Sequence, residues 1–379
     1  MRTLEWTATR YRPTVAVVDL GAVQHNVSVL KPVRAELMAV VKADGYGHGA
    51  VEVARAALKG GADWLGVALV EEGIVLRDAG VDARILLLTE FPPGSEPEAL
   101  RAGLTPTIYS EEGLARLASA SKATGSTPGV HVKVDTGMHR VGLAPDRAVA
   151  LVREVTAVGL TVEGLWTHLA ASEDLTEPFT EEQLERFASV ASAVMESGVR
   201  PRYLHAANSG GLLGHPRSHL DLVRVGIAMY GVAPGPDLAR VADLRPALSW
   251  QSAVSAVRRV GPGEGISYGL RYRPERHTTI ATIPVGYADG YPRALSNRGE
   301  VLIRGRRRRV AGTVTMDQIM VDCANDPIEV GEEAILIGGQ GASSIPVEEV
   351  SALAETIPYE ILCGISHRVP RTYVTGEAT

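Results

Sequence analysis

Cysteine is nearly absent from this chain: Cys323 and Cys363 are the only two in 379 residues. Two thiols in so long a chain, free to pair in principle, fit a reduced cytosolic protein better than a disulfide-stapled one. Long hydrophobic runs are missing as well. No uncharged apolar stretch reaches about 18 residues, which excludes an ordinary membrane-spanning helix. Met1–Arg10 has neither an apolar core nor a small-residue cleavage site, so no secretory leader is expected. There is no basic excess: 38 Lys and Arg against 44 Asp and Glu leave a net charge of −6. That argues against non-specific binding to nucleic acid or to an anionic membrane. The one basic run, Arg306–Arg309, reads as a hairpin tip flanked by strands. No internal repeat or low-complexity tract is present.

What is there is an ordinary globular composition, 45% hydrophobic and 22% charged. At about 100–200 residues per domain the length suggests two domains, or one barrel and a smaller module. Short β-branched apolar runs alternate with Ala/Leu/Glu/Arg-rich helical stretches over the first two thirds. The runs are Val15–Leu20, Leu37–Lys42, Trp64–Ala68, Ile85–Leu88, Thr105–Tyr109, His131–Val134, Val162–Thr167, Tyr203–Ala206 and Leu222–Val225. Such alternation implies βαβ units and a parallel sheet. Eight strands close a (β/α)8 barrel of about 200–250 residues. Nine runs are one too many, and Val15–Leu20 is the run assigned outside the barrel proper. Near Val232–Pro246 the pattern breaks at Pro234, Gly235 and Pro236. Strand-like segments with few helices follow: Leu248–Val260, Thr278–Val285, Glu300–Ile303, Arg309–Val314, Ile319–Cys323 and Glu333–Ile337. The expected class is α/β, an N-terminal (β/α)8 TIM-like barrel over 14–243 followed by a smaller, mostly β domain over 244–379 with residues 1–13.

The sharpest local signal is Ala39-Val-Val-Lys42-Ala-Asp-Gly-Tyr46-Gly-His-Gly49. A lysine at the end of a buried strand, before a glycine-rich turn, has its ammonium form disfavoured and its amine freed for a Schiff base. The plain alternative is a lysine emerging from the barrel rim into water. Lys42, Arg140, His168, Asn208–Ser209 and Gly226–Ile227 all fall at or just past the ends of expected strands. That is the face where barrel enzymes build their sites, with phosphate commonly bound after the seventh and eighth strands. Ser209 offers a hydroxyl there, and the backbone N–H groups of Gly226 and Ile227 offer donors. His205-Ala-Ala-Asn208-Ser209 also reads as a helix N-cap following a strand.

Val40-Val-Lys42-Ala-Asp-Gly-Tyr46-Gly-His-Gly resembles the cofactor-lysine motif of the alanine racemases. The resemblance continues in order through Lys133-Val-Asp-Thr-Gly-Met-His-Arg140, Trp166-Thr-His168, His205–Ser209 and Val223–Gly231. It runs on through Ile266-Ser-Tyr268-Gly, Pro284-Val-Gly-Tyr287-Ala-Asp-Gly and Thr315-Met316-Asp317-Gln318. It implies a cytoplasmic homodimer, with active sites shared across the interface, that binds pyridoxal 5'-phosphate (PLP) and no metal. The implied reaction interconverts L- and D-alanine and supplies D-alanine for peptidoglycan.

The resemblance also implies roles. Lys42 holds the cofactor and serves the D-alanine face; Tyr268 of the partner subunit serves the other. Tyr46, Asn208, Ser209, Gly226, Ile227 and the residue at position 367 surround the phosphate. Arg224 faces the pyridine nitrogen, and because arginine carries only donors that ring stays a weaker electron sink, which suits racemisation. His168, with Arg224 behind it, contacts the Tyr268 hydroxyl and brings positive charge towards a phenol whose ordinary pKa is about 10. Arg140 binds the substrate carboxylate, Met316 presents a backbone N–H to it, and Tyr287 lines the mouth of the site. Lys133 is often carbamylated in the family; the alternative is a plain lysine with its head at the rim.

Three positions depart from the family pattern. His367 stands where tyrosine is common, Thr313 where an arginine is common, and Glu173 where an aspartate is common. His367 keeps open a pocket that accepts serine as well as alanine. A non-catalytic PLP-binding protein on the same barrel is the alternative from another class; such proteins usually lack a second domain. A decarboxylase of the same plan typically places a carboxylate where Arg224 stands.

Overall fold

The computed structural model describes residues 11–376. Residues 1–10, where no leader is expected, and 377–379 lie outside the described residues. The chain divides into a barrel unit, Ala22–Gly45 with Ala50–Arg245, and a β unit that gathers 11–21, Tyr46–Gly49 and 246–376. Relative to a boundary at 14–243, the β unit additionally holds residues 14–21 and 46–49. Hydrogen bonding explains the first difference. Strand β1 (Val15–Asp19) pairs antiparallel with Leu248–Ala253 and parallel with Arg371–Val374.

The barrel strands are β2 (Glu36–Val40), β3 (Trp64–Val67), β4 (Arg84–Leu87), β5 (Thr107–Ile108), β6 (Gly129–Lys133), β7 (Thr161–Trp166), β8 (Tyr203–His205) and β9 (Leu222–Val225). All pairings among them are parallel, in two ladders, β4-β3-β2-β9 and β5-β6-β7-β8. Backbone bonds close both seams: Leu87 N–H donates to Thr105 O at 3.0 Å, and Arg224 N–H to Ala207 O at 3.0 Å. The cylinder is therefore complete. Strands such as Trp64–Val67 and Leu222–Val225 are buried along their whole length, as expected where parallel strands face a filled interior on one side and helices on the other. Met38, Trp64, Leu86, Tyr203 and Leu222, from five strands, pack together in the core. Between strands, helices start where the sequence signals them; Ser110 caps Glu111–Thr124 by accepting from Gly113 N–H.

The β unit continues with β10 (Leu248–Ala253), β11 (Ala256–Val260), β12 (Thr278–Ile283), β13 (Glu300–Ile303), β14 (Arg306–Arg309), β15 (Ile319–Asp322), β16 (Glu333–Gln340), β17 (Ser343–Ile345) and β18 (Arg371–Val374). One sheet runs β14-β13-β16-β10-β1-β18, with β17 beside β16, and a second runs β11-β12-β15. Three expectations need correction. Leu248–Val260 is two strands, because the chain passes from one sheet to the other at Val254–Ser255. The basic run is a strand and not a tip: Arg306–Arg309 pairs with Glu300–Ile303, and the turn is Arg304–Gly305. Residues 310–314, expected as strand, follow it outside any strand. Arginines suit an exposed edge strand, and these are paired locally, Arg307 with Glu300 and Glu349, Arg306 and Arg308 with Asp326. Helices Val347–Ala354 and Pro358–Gly364 complete the unit.

Among the described residues, no helix is long and apolar enough to cross a membrane. Neither cysteine is in a disulfide; Cys323 is buried and Cys363 exposed.

Candidate active site

Lys42 stands two residues beyond the end of β2 and is half-buried. The chain after it winds left-handed: φ is 51° at Ala43, 51° at Asp44, 61° at Gly45 and 51° at Tyr46. Each non-glycine residue in that conformation costs about 1–2 kcal/mol. Side chains hold the turn: Glu72 Oε1 accepts Ala43 N–H at 2.6 Å, and Asp44 Oδ1 accepts Ala50 N–H at 2.9 Å. Glu72 is itself fixed by Ala68 and Leu69 N–H.

Around this lysine the barrel gathers positive charge. Lys133 is buried at the end of β6, with Nζ 4.3 Å from the Trp166 ring centre. Burial first, then Arg224, Arg140 and Lys42, together lower its pKa to about 7 against a single opposing carboxylate, Asp135. Arg224, also buried, is pulled down to about 9 by desolvation and remains charged at neutral pH. Its Nη2 donates to Thr167 O and Ala206 O at 2.9 Å and lies 3.3 Å from His168 Nδ1; Nη1 lies 3.0 Å from His205 Nδ1. Nε takes part in none of these bonds. Arginine has only donors, so both histidines must accept through Nδ1 and carry their proton on Nε2. Burial first, then Arg224, Lys133, Arg140 and Lys42, drive the His168 pKa well below its ordinary value. His168 is therefore a neutral donor; the positive charge expected of that pair resides on Arg224. Arg140 is exposed and makes no hydrogen bond or ion pair among the described residues.

Beyond β8 and β9, Ser209 Oγ is buried and accepts Gly226 N–H at 3.1 Å and Ala228 N–H at 3.4 Å. The N–H groups of Gly226 and Ala228 thus converge on this hydroxyl, on either side of Ile227. The Asn208 side chain serves as the cap of Ser209–Gly214. Its Oδ1 accepts Gly211 N–H at 2.9 Å and Ser172 Oγ–H at 2.6 Å, while Nδ2 donates to Leu169 O. Both ends of that amide are engaged within the protein, so Asn208 fixes the start of the helix that carries Ser209.

In the β unit, Tyr268, Tyr287 and Met316 are exposed. Tyr287 N–H donates to Thr315 O at 3.0 Å and Ala288 N–H to Met316 O at 3.1 Å, which brings Tyr287 and Met316 onto adjacent turns. Ser366 N–H donates to Asp289 O, setting the exposed His367 beside the same turn. Tyr46 is buried, its ring centre 5.9 Å from that of Tyr359, and burial holds its phenol protonated.

Sequence reasoning assigned no role to the pair behind Arg224. His205 Nε2 lies 2.9 Å from His131 Nδ1, both rings are buried, and burial keeps both neutral. Trp166 stacks on His205 at 5.4 Å. The signal was the bare side chain of Gly164: a Cβ there would lie 2.3 Å from His131 Nδ1.

A closed parallel barrel whose C-terminal rim carries two lysines, two arginines and one nearby carboxylate, joined to a mostly β unit, defines a two-unit barrel enzyme built to receive an anionic group. Family models agree with it segment by segment. "Alanine racemase, N-terminal domain" matches residues 18–234 and "Alanine racemase, C-terminal domain" matches 247–373. An alanine racemase of Symbiobacterium thermophilum is 50% identical over 96% of this chain and 97% of its own length. One of Thermobifida fusca is 44% identical over 94% and 97%. The crystal structure of alanine racemase from D-cycloserine-producing Streptomyces lavendulae superposes with a TM-score of 0.93 at 40% identity, covering 97% of this chain and 98% of that one. The chain belongs to the alanine racemase family, whose members are isomerases acting on amino acids.

Proposed function

We propose that this protein interconverts L- and D-alanine with PLP, using two bases contributed by two subunits. The reading rests above all on the rim of the barrel unit, where Lys42, Lys133, Arg140 and Arg224 act together on His168. Such a surplus of cations fits a ligand carrying a phosphate and a carboxylate. Ser209 Oγ, with the N–H groups of Gly226 and Ala228 converging on it, supplies donors of the kind that hold a phosphate. When bound, PLP acts as the electron sink that acidifies the substrate α-proton.

The chain's own groups then do the rest. Lys42 holds and moves the proton on the D-alanine face. The partner subunit's Tyr268 does so on the other face. Neutral His168 offers its Nε2–H to that phenol's oxygen, stabilising phenolate by donation rather than by its own charge. Arg224 cannot accept a proton and so leaves the sink weak, which favours return of the proton over side reactions. Arg140, unpaired among the described residues, suits the substrate carboxylate; the Met316 backbone N–H serves the same carboxylate, and Tyr287 lines the mouth of the site. Lys133, with a pKa of about 7, has a neutral amine fraction able to take up carbon dioxide, and a carbamate there would offset the surrounding cations.

Tyr268, Leu270, Tyr287 and Met316 are large, exposed and on one unit, a surface suited to a second copy of the chain. Thiols outside any disulfide fit the cytoplasm, and the family's product fits peptidoglycan synthesis. A second reading, acceptance of serine, draws on His367, which is exposed and makes no hydrogen bond among the described residues. The test is optical: purified protein with PLP, given L-alanine and L-serine separately. Alanine racemising faster supports the main reading, and serine matching it supports the second. No loss of optical activity from either, with PLP bound, overturns both.

A further inference from the structure

The backbone that carries Tyr268 is strained. Ser267 sits at φ 63°, ψ −177°, a region that essentially only glycine occupies and that persists only where the surroundings enforce it. Gly269 and Leu270 follow at φ 72° and 51°. Two reciprocal bonds tie this segment to Thr313, on an adjacent stretch of the same chain. Ser267 Oγ–H donates to Thr313 O at 2.6 Å, and the buried Thr313 Oγ1–H donates to Tyr268 O at 2.8 Å. Ile266 N–H closes the loop onto Tyr272 O at 2.9 Å.

The stretch around Thr313 is equally constrained. Gly312 lies so close that a Cβ on it would be 2.7 Å from Ile266 O and 2.8 Å from Ser267 Cβ. Its N–H donates to Asn297 Oδ1 at 2.6 Å, and Asn297 Nδ2 donates to Arg271 O at 3.0 Å. The loop is therefore gripped on both sides of Tyr268, while the tyrosine side chain itself is 75% exposed. A surface tyrosine with no task needs no such grip.

We infer that Thr313 and Ser267 are positioning residues that hold the Tyr268 phenol for proton transfer by clamping its backbone. The inference rests on the reading that Tyr268 is one of the two bases. Positional errors of about 1 Å in such a group cost about 100-fold in rate.

The test compares wild type, Thr313→Val and Thr313→Ser as PLP-loaded full-length protein. In Thr313→Val, kcat for alanine is expected to fall about 10- to 100-fold with KM little changed. Thr313→Ser, which keeps the hydroxyl, restores most of it. In heavy water, Thr313→Val should exchange the α-proton of D-alanine without inversion more often per racemisation than wild type, because Lys42 is untouched. Amide exchange over residues 266–272 should quicken in Thr313→Val, an effect read without turnover. Wild-type rates and wild-type amide protection in Thr313→Val overturn the clamp. A uniform loss of exchange from both enantiomers also overturns it, since that marks general damage. If Thr313→Val does not fold, Ser267→Ala carries the same expectations. Should wild type racemise nothing, the two-base reading fails, and the amide-exchange comparison still decides the clamp.

Discussion

Arg224 Nη1 lies 3.0 Å from His205 Nδ1, and His205 Nε2 lies 2.9 Å from His131 Nδ1. The guanidinium fixes the direction of the whole series: each ring accepts on Nδ1 and donates from Nε2. Beyond His131 stands Glu163, 3.8 Å from its Nε2 and paired in turn with Arg84. Replacing His205 by Phe removes the acceptor and leaves a buried donor on Arg224 unsatisfied, a loss of about 1–3 kcal/mol. Denaturant unfolding should show that loss, and kcat should fall with it as Arg224 shifts.

Lys133 gives the protein a pH signature. Its pKa is about 7 in the fold and 10.5 when unperturbed. Between those values the unfolded chain binds the extra proton, so stability rises as pH increases from about 7 towards 10. Below pH 7 both states are protonated and the lysine's contribution is constant and unfavourable. Lys133→Met should flatten this slope in unfolding measurements at pH 7–10. A carbamate on Lys133 would reduce the slope in wild type when bicarbonate is added, and not in the variant.

Arg140 should matter for binding more than for the fold. Hydrogen bonds to charged groups contribute about 1.5–3 kcal/mol. Arg140→Gln is therefore expected to raise KM for alanine roughly 10- to 100-fold, with melting temperature unchanged because the side chain is exposed and unpaired among the described residues. Steady-state kinetics and a thermal melt together check it.

The barrel was largely legible because each of its strands is a short apolar run, from Leu37 to Val225, and the helices between them carry their own start signals. The sheet change at Val254–Ser255 was not, since one continuous β-like stretch, Leu248–Val260, serves two sheets without a turn residue to mark the break. At the site, the placement of Lys42 and Ser209 just past strand ends was readable from the sequence, whereas Arg224 stood out only through the family resemblance. The left-handed turn through Ala43, Asp44 and Tyr46 was not, because nothing local favours it; remote Glu72 enforces it. The neutrality of His168 depends first on burial and then on Arg224 and three basic residues distant in sequence, none of which its own neighbours in the chain signal.

Ser267 allows strain and function to be separated. Ser267→Gly relieves a backbone cost of about 1–3 kcal/mol while losing one hydrogen bond worth about 1 kcal/mol. Unfolding free energy should hold or rise by up to about 2 kcal/mol, although glycine ordinarily destabilises, and alanine kcat should fall. A stable, fully active Ser267→Gly would show that the Ser267 hydroxyl bond to Thr313 does nothing for Tyr268.

The central claim is a site assembled from Lys42 of one subunit and Tyr268 of the other, and subunit mixing tests it most directly. Lys42→Ala and Tyr268→Phe, each inactive alone, are unfolded together and refolded in equal amounts with PLP. If sites are shared, half of the dimers are mixed and each mixed dimer holds one intact site, so alanine racemisation should return to about a quarter of the wild-type rate. If each site lies within one chain, no site in a mixed dimer holds both groups, and a mixture as inactive as its parents contradicts the account.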